Sequence, residues 1–465
     1  MWMIPQLPRT DGATLWFGAF VPTPPEVVWV EVIDVGGRRR LGRRALRPRW
    51  APVEADATPR VWTGRASLDG LAPDRLYRLQ LADESGAPID AASELRTLPL
   101  RVPGASENPL TILLGSCFDY SGDGGAAISS FRRLLTAAQF PHLKVLCGDQ
   151  IYLDLPVSEV IPRDPALTYR HILGKYLRNW APGGTRLASG YGDLLRRGAN
   201  LLVSDDHEYW NNYPFAASHV PFTYTAARRA LLTRLGTAFC RAFQAEMGEG
   251  DGVRALTEIV IGPEGACPGD RLEILAIDGR IERTFTRAHW PADMERLCAR
   301  LRGLTSPALV VLSQPLFQPA EGAIRRRWVD AGIADFDDYE PLAAALAAAP
   351  HDVMILSGDI HCGRIAETSL PGGRRIVEVV ASPLSLIPRT SYEEKPADTS
   401  FPARPLSPPF RIPSSEIRMR RDPIREDHAV TLAIRARGRS VAVEVSFWSV
   451  RTRERIGAAK TFTLT

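Results

Sequence analysis

Hydrophobic and polar positions change their rhythm along the chain. Up to about residue 98, short apolar stretches such as 14–20 and 27–33 alternate with turn-rich pieces. The stretch RASLDGLAPDRLYRLQL sets a strand, a tight proline turn and a second strand carrying a tyrosine in succession. Short strands at this spacing predict a β-sandwich, and RTLPLRVPGASENP reads as the linker out of it. From about residue 110, wholly apolar runs end abruptly in polar clusters: TILLGSC, KVLCGD, LLVSDD, EILAID, VVLSQ and MILSGD. Helix-like segments, for example 126–139 and 169–180, lie between several of them. Strands apolar on both faces belong inside a sheet, and their alternation with helices predicts an α/β domain. From about 428 the period returns to two in AVTLAIRARGRSVAVEVSFWS, a hairpin around Arg-Gly-Arg-Ser, with a last strand at TFTLT. The expected division is 1–100, 101–427 and 428–465, the last strands completing the sheets of the central unit.

Composition narrows the class. A chain of 465 residues exceeds one ordinary core. With 57 basic and 53 acidic residues there is no cationic surplus, so specific nucleic-acid binding is not expected. Six cysteines form no Cys-x-x-Cys pair and no disulfide framework, which argues against a thiolate zinc finger and fits a reducing compartment. The opening MWMIPQLPRTDG lacks a basic stretch followed by an apolar one, and no uncharged apolar run reaches the roughly 18 residues of a membrane span. The expected state is soluble and cytoplasmic. No pattern in the chain speaks to its oligomeric state.

Chemistry concentrates where the apolar runs stop. Cys117 closes the first run; Asp149 and Tyr152 follow the second in GDQIY; Asp205, Asp206, His207 and Glu208 follow the third in SDDHE; Asp359 and His361 follow a later one in SGDIH. In open α/β sheets, ligands bind at the carboxyl ends of the strands. Carboxylates at that density repel one another and are tolerable when cations neutralise them. Oxygen, nitrogen and sulfur donors together suit two hard or borderline metal ions. Two such ions polarise a phosphoryl group and supply hydroxide from a shared water near neutral pH, and a nearby imidazole protonates the leaving alkoxide. His207 is the candidate acid, and Asp149 is a further candidate for the catalytic set. Asn211 and Asn212, paired amides after Asp-His-Glu, are candidates for holding phosphate or a ligating carboxylate.

These clusters resemble the calcineurin-like metallophosphoesterases, and more closely their alkaline-phosphatase-D (PhoD) family. GDQIY is similar to the G-D-x-x-Y of PhoD proteins and iron-containing purple acid phosphatases, and SDDHEYWNN to the PhoD block D-D-H-E-x-x-N-N. SGDIH stands where the superfamily has G-H-x-H, and GSC where it has D-x-H. The leading sandwich, similar to fibronectin type III or immunoglobulin-like domains, also matches that family's layout. The resemblance implies an α/β catalytic domain of two packed mixed sheets flanked by helices. It implies a ferric ion on Cys117 and Tyr152, Asp149 bridging to a second metal, ligands from Asp359 and His361, and Asp206 at the superfamily's Asn position, with Asp205 a further candidate. Iron with calcium is the implied pair; zinc or manganese would serve the same chemistry. Two departures stand out. The superfamily's V-x-x-H ligand is absent, VVLSQPLF offering Gln314 there, and the twin-arginine signal common in the family is not visible.

The implied activity is hydrolysis of phosphomono- or phosphodiesters, with a small molecule, lipid or polymer as the esterified group. The alternatives are an inactive PhoD-like scaffold and a metallohydrolase of another ester class. Residues 213–270 are expected to form a lid or wall that sets specificity. Cys147, Cys362, His219 and His289 are expected to be packing or surface residues. Seven arginines within 38–49 read as a charged strand edge that resists pairing, or else as a patch for an anionic substrate.

Overall fold

The structure, a computed structural model, describes all residues except 121–139, 182–189, 248–252, 255, 290, 328, 330 and 386–396. The helix expected over 126–139 lies outside the described residues. The N-terminal strands are β1 (Trp2–Pro8), β2 (Ala13–Ala19), β3 (Val28–Asp34), β4 (Arg39–Leu46), β5 (Arg49–Pro52), β6 (Trp62–Leu68), β7 (Leu76–Ala82) and β8 (Ser93–Arg96). They form two layers, β1-β2-β6-β5 and β4-β3-β7-β8, closed over Leu15, Phe17, Val30, Val32, Leu79 and Leu81. Tyr77, the tyrosine of the proline-turn motif, is buried and its hydroxyl accepts from Ala72 N at 2.9 Å, pinning the turn to the strand. β4 is an outer strand of its layer. Arg44 stands opposite Val30, on the side of β4 that faces the sandwich interior, yet remains exposed. A charge so placed blocks edge-to-edge addition of another chain, which favours the protective reading of the arginine run.

The central unit opens with β9 (Leu110–Gly115), β10 (Leu143–Cys147) and β11 (Ala199–Val203), three parallel strands with every residue buried. β1 pairs in parallel with β11, Gln6 opposite Asn200, and Asn200 Nδ2 donates to Pro5 O at 2.7 Å. One layer of the sandwich therefore continues the sheet of the central unit. The short ladder of β12 (Glu246–Met247) and β13 (Val253–Arg254) leads to β14 (Leu256–Ile261), β15 (Leu272–Ile277), β16 (Ala308–Val311), β17 (Val353–Ser357), β18 (Gly363–Ser369), β19 (Arg375–Val380), β20 (Ser400–Phe401) and β21 (Ser415–Ile424). β14 to β21 build an eight-stranded mixed sheet in the order β14-β15-β16-β17-β19-β18-β21-β20. β22 (His428–Arg437), β23 (Ser440–Ser449) and β24 (Lys460–Leu464) add antiparallel to β9 and complete a ten-stranded sheet, β24-β23-β22-β9-β10-β11-β1-β2-β6-β5. The two large sheets pack face to face through Ile112, Val145, Val203, Ile274, Val311, Leu356, Val379 and Leu432. Leu98 and Val102, in the stretch expected as linker, are buried in that same layer.

Helices cover the outer faces. In α1 (Pro165–Trp180), Asp164 accepts from Leu167 N at 2.9 Å as the N-cap and Pro165 fills the first turn. Its Tyr169, Ile172, Leu173, Tyr176 and Trp180 recur at helical spacing and face the ten-stranded sheet together with Leu232, Leu235, Phe239 and Phe243 of α2 (Ala226–Phe243). The region expected as a lid thus contributes a core helix: an apolar stripe of that width must be covered. α3 (Pro291–Arg302) and α4 (Tyr339–Ala347) cover the other sheet through Leu297, Leu301, Leu342 and Leu346. No described helix is long and apolar enough to cross a membrane.

His428, at the start of β22, is fully buried against Phe447, with ring centroids 5.3 Å apart. Burial lowers its pKa to about 4. An unfolded histidine titrates near 6.5, so between those values the unfolded chain binds the extra proton and stability falls as the pH is lowered. About 3 kcal/mol is expected to be present above pH 6.5 and lost as pH approaches 4. Urea unfolding at pH 7.5 and 4.5 should show this loss in the wild type and a smaller one in His428→Gln; equal losses would assign the effect to other groups.

Candidate metal centre

The described parallel strands of both sheets end on one side, and the clustered residues follow them directly. Ser116 and Cys117 follow β9, Gly148 and Asp149 follow β10, and Ser204 to Asp206 follow β11; from the other sheet come Asp278 after β15, Gln314 after β16, Asp359 and His361 after β17, and Ser382 after β19. The backbone bends sharply there. Cys117, Asp149, Asp359 and His361 all have positive φ, between 53° and 70°. Non-glycine residues rarely adopt this conformation, and it persists where the surroundings over-determine it. Gly148 also has positive φ, and a Cβ on it would lie 2.3 Å from Asp205 Cβ. Only glycine lets these two loops approach, which gives the Gly of GDQIY its physical meaning.

Asp149 is the hub. It belongs to each of three groups whose ligand atoms lie within 4.8 Å of one another: Cys117 with Asp149 and His361; Asp149 with Asp206 and His207; and Asp149 with Asp205, Asp206 and Asp359. The Cys117 thiol and the Tyr152 hydroxyl both donate to Asp149 Oδ2 at 3.3 Å, and His207 N donates to Oδ1 at 3.3 Å. Tyr152 Oη is also 3.2 Å from His361 Nε2, and Ser382 donates to Cys117 Sγ at 3.0 Å. Beneath the hub, Glu208 accepts from the backbone N–H groups of Asp149 (3.0 Å), Gln150 (2.6 Å) and Asp205 (2.8 Å) and from Gln244 Nε2 (3.0 Å). Four donors on one buried carboxylate lock the β10 and β11 loops together, so Glu208 shapes the centre from below.

The His207 ring is held from one side by a buried carboxylate. Its Nδ1 is 2.6 Å from Asp154 Oδ1, and Asp154 Oδ2 accepts from Asn211 N (2.9 Å) and contacts His219 Nε2 (3.2 Å). Burial works against the charged imidazolium, but the Asp154, Asp206 and Asp149 carboxylates overcome it and raise the His207 pKa well above the usual value. Burial likewise works against the Asp154 carboxylate, and His207 in turn holds it well below the usual range. Burial raises Asp149 and Tyr152 and pushes Cys117 up to about 12.

The residues present fit bound cations. Burial and mutual repulsion resist ionisation of Cys117, Tyr152 and Asp149, and a cation among them reverses that balance. Asp205 Oδ2 is buried without a hydrogen-bond partner among the described residues.

The structure brings Cys117, Asp149, Tyr152, Asp205, Asp206, His207, Asp359 and His361 to one place. Gln314 joins them, donating to Asp359 Oδ2 at 3.3 Å. The two asparagines engage the site's carboxylates through their backbone. Asn211 gives its backbone N–H to Asp154, and Asn212 gives its own to Asp206 Oδ2 at 2.5 Å. The Asn212 side chain is engaged by Ala331 N (3.3 Å) and Arg326 O (3.5 Å). His289 is buried with its ring beside Gly279, and its backbone N–H donates to Asp338 at 2.8 Å. Cys147 and Cys362 are buried among apolar neighbours. Sequence reading missed Asp154, two residues beyond Tyr152, and Arg280, just past the run EILAID, which donates to Asp205 Oδ1 at 2.6 Å. Extending the strand-end rule to that run would have found Arg280.

Two packed mixed sheets flanked by helices, with a carboxylate-rich centre at their strand ends, make a fold that the chain shares with solved structures. Among solved structures, the chain matches PhoD over 99% of its own length and 88% of PhoD, with a TM-score of 0.60 and 14% identity. It matches a purple acid phosphatase from yellow lupin (Lupinus luteus) seeds over 100% of its length and 74% of that chain, with a TM-score of 0.57 and 10% identity. No protein-family model and no curated protein sequence matches it.

Proposed function

We propose that the protein is a metal-dependent phosphoesterase that hydrolyses phosphomonoesters or phosphodiesters at a centre of two metal ions. The observation that carries this reading is the place of Asp149, shared by three ligand groups drawn from both sheets. Cys117, Tyr152 and His361 with Asp149 would hold one ion; thiolate and phenolate donors suit ferric iron. Asp149, Asp205, Asp206 and Asp359 would hold the other; an all-carboxylate set suits calcium. When bound, the pair of ions polarises the phosphoryl group and supplies the nucleophile from water. The chain's own residues do the rest. Asp149 fixes the spacing between the two positions. With Nδ1 taken up by Asp154, His207 keeps Nε2 for the leaving alkoxide, and Asp154 holds the imidazolium in orientation. Gln314 steadies Asp359, and Asn212 steadies Asp206 through its backbone.

The test is elemental analysis with a visible spectrum, followed by hydrolysis of aryl phosphate mono- and diesters. Iron near one equivalent with a charge-transfer band is expected. Tyr152→Phe should shift or remove the band, and Cys117→Ser should weaken iron retention. Two zinc or manganese ions without a band would keep the phosphoesterase reading and remove iron. A protein that takes up no metal after reconstitution would sink the reading.

A further inference from the structure

Arg280 is one of the largest fully buried side chains in the protein, 1% exposed. Its place is set by a clasp between the two sheets. Asp278, at the end of β15, accepts from Ser204 N (2.6 Å), at the end of β11, and from Arg280 N (2.8 Å). That clasp delivers the guanidinium against the two residues after Ser204. Arg280 Nε donates to Asp205 Oδ1 at 2.6 Å, Nη1 donates to Tyr213 O at 3.0 Å, and Nη2 lies 3.8 Å from Asp206 Oδ1. Asp205 is 0% exposed and Asp206 1%.

The two oxygens of Asp205 therefore differ. Oδ1 is held by Arg280, whereas Oδ2 is buried without a hydrogen-bond partner among the described residues. Asp205 also belongs to the four-carboxylate group with Asp149, Asp206 and Asp359. A buried carboxylate with one oxygen fastened and the other unsatisfied beside three more carboxylates is oriented for a cation. Ligating carboxylates are commonly held in this way by a partner outside the ligand set.

We infer that Arg280 is a positioning residue for the second metal: it fastens Asp205 Oδ1 so that Oδ2 is presented as a ligand, and it brings one fixed positive charge to a set of four carboxylates. The inference rests on the metal-centre reading above and extends it to a residue outside the ligand set. Two physical effects of Arg280 on a bound cation have opposite signs. Its charge repels the cation, and its hold on Asp205 favours binding. The inference states that the hold wins.

The experiment is a Mn2+ titration of metal-depleted full-length protein, with bound metal counted after dialysis, for the wild type, Arg280→Met, Asp205→Asn and the double variant. Arg280→Met is expected to weaken the second, weaker Mn2+ equivalent by about 10- to 100-fold while leaving the first in place. Asp205→Asn should weaken the same equivalent, and the double variant should be no weaker than Asp205→Asn alone, because Arg280 acts through Asp205. The double variant leaves no lone buried charge at the pair and keeps the comparison open if Arg280→Met fails to fold. Tighter Mn2+ binding in Arg280→Met, an unchanged second equivalent in Asp205→Asn, or losses that multiply in the double variant would overturn the inference while leaving the phosphoesterase reading intact. A wild-type protein that binds no Mn2+ would overturn both.

Discussion

Asp149→Asn is expected to release both metal positions and to lower phosphate-ester turnover by about 10³-fold or more. The size follows from the number of roles that one side chain holds. Asp149 belongs to all three potential ligand groups, and both Cys117 and Tyr152 lean on its Oδ2. Amide for carboxylate removes the charge shared between two cations. A metal pair contributes several kcal/mol of transition-state stabilisation, and about 4 kcal/mol corresponds to roughly 10³ in rate. The measurements are metal content by elemental analysis and kcat on an aryl phosphate. Glu208 and its four donors do not depend on the Asp149 side chain, so circular dichroism should show the fold intact. Full metal content in Asp149→Asn would show that the centre does not turn on this residue.

His207→Gln carries the second large effect. Loss of a general acid costs about 10²- to 10⁴-fold when the leaving group needs the proton. An alkyl phosphate ester should therefore lose that much in kcat, a nitrophenyl ester far less, and metal content should be unchanged. Asp154→Asn should reproduce most of the alkyl-ester loss, because the amide cannot hold the imidazolium as the carboxylate does at 2.6 Å. Equal losses on both esters would assign His207 to substrate or metal binding and not to proton delivery.

The centre was legible because most of its parts sit where apolar strands stop. Cys117, Asp149, Asp206 and Asp359 each follow a run of buried residues, a signal local in sequence. Asp154 gave no such signal, and Arg280, three residues past a buried strand, is not a ligand type that the strand-end rule singles out. An aspartate two residues past a motif has no periodicity to mark it, and one arginine among 57 basic residues is ordinarily a surface residue. What makes each important is a contact across 53 and 75 residues, respectively. Asn211 and Asn212 show the converse. Their side-chain chemistry suggested a hold on phosphate or on a ligating carboxylate, and the contacts to Asp154 and Asp206 come from their backbone N–H groups, which no side-chain reading anticipates. Of the fold, the alternation of strands and helices was plain, because buried strands are apolar throughout. The joining of β1 to β11 was not, since a parallel pairing of distant strands leaves no local trace.

That pairing sets an order of events during synthesis. β1 is made well before its partner β11, which lies 195 residues later, as the Asn200 to Pro5 hydrogen bond marks. At roughly 5–20 residues per second on the ribosome, about 10–40 s separate the two. Through that interval the nascent hairpin of β1 and β2 exposes Trp2, Ile4 and Trp16, side chains that end in the core beneath α1 and α2. The nascent chain should therefore be a client for chaperones from the emergence of β1 onward, until the strand that will shelter these side chains leaves the exit tunnel.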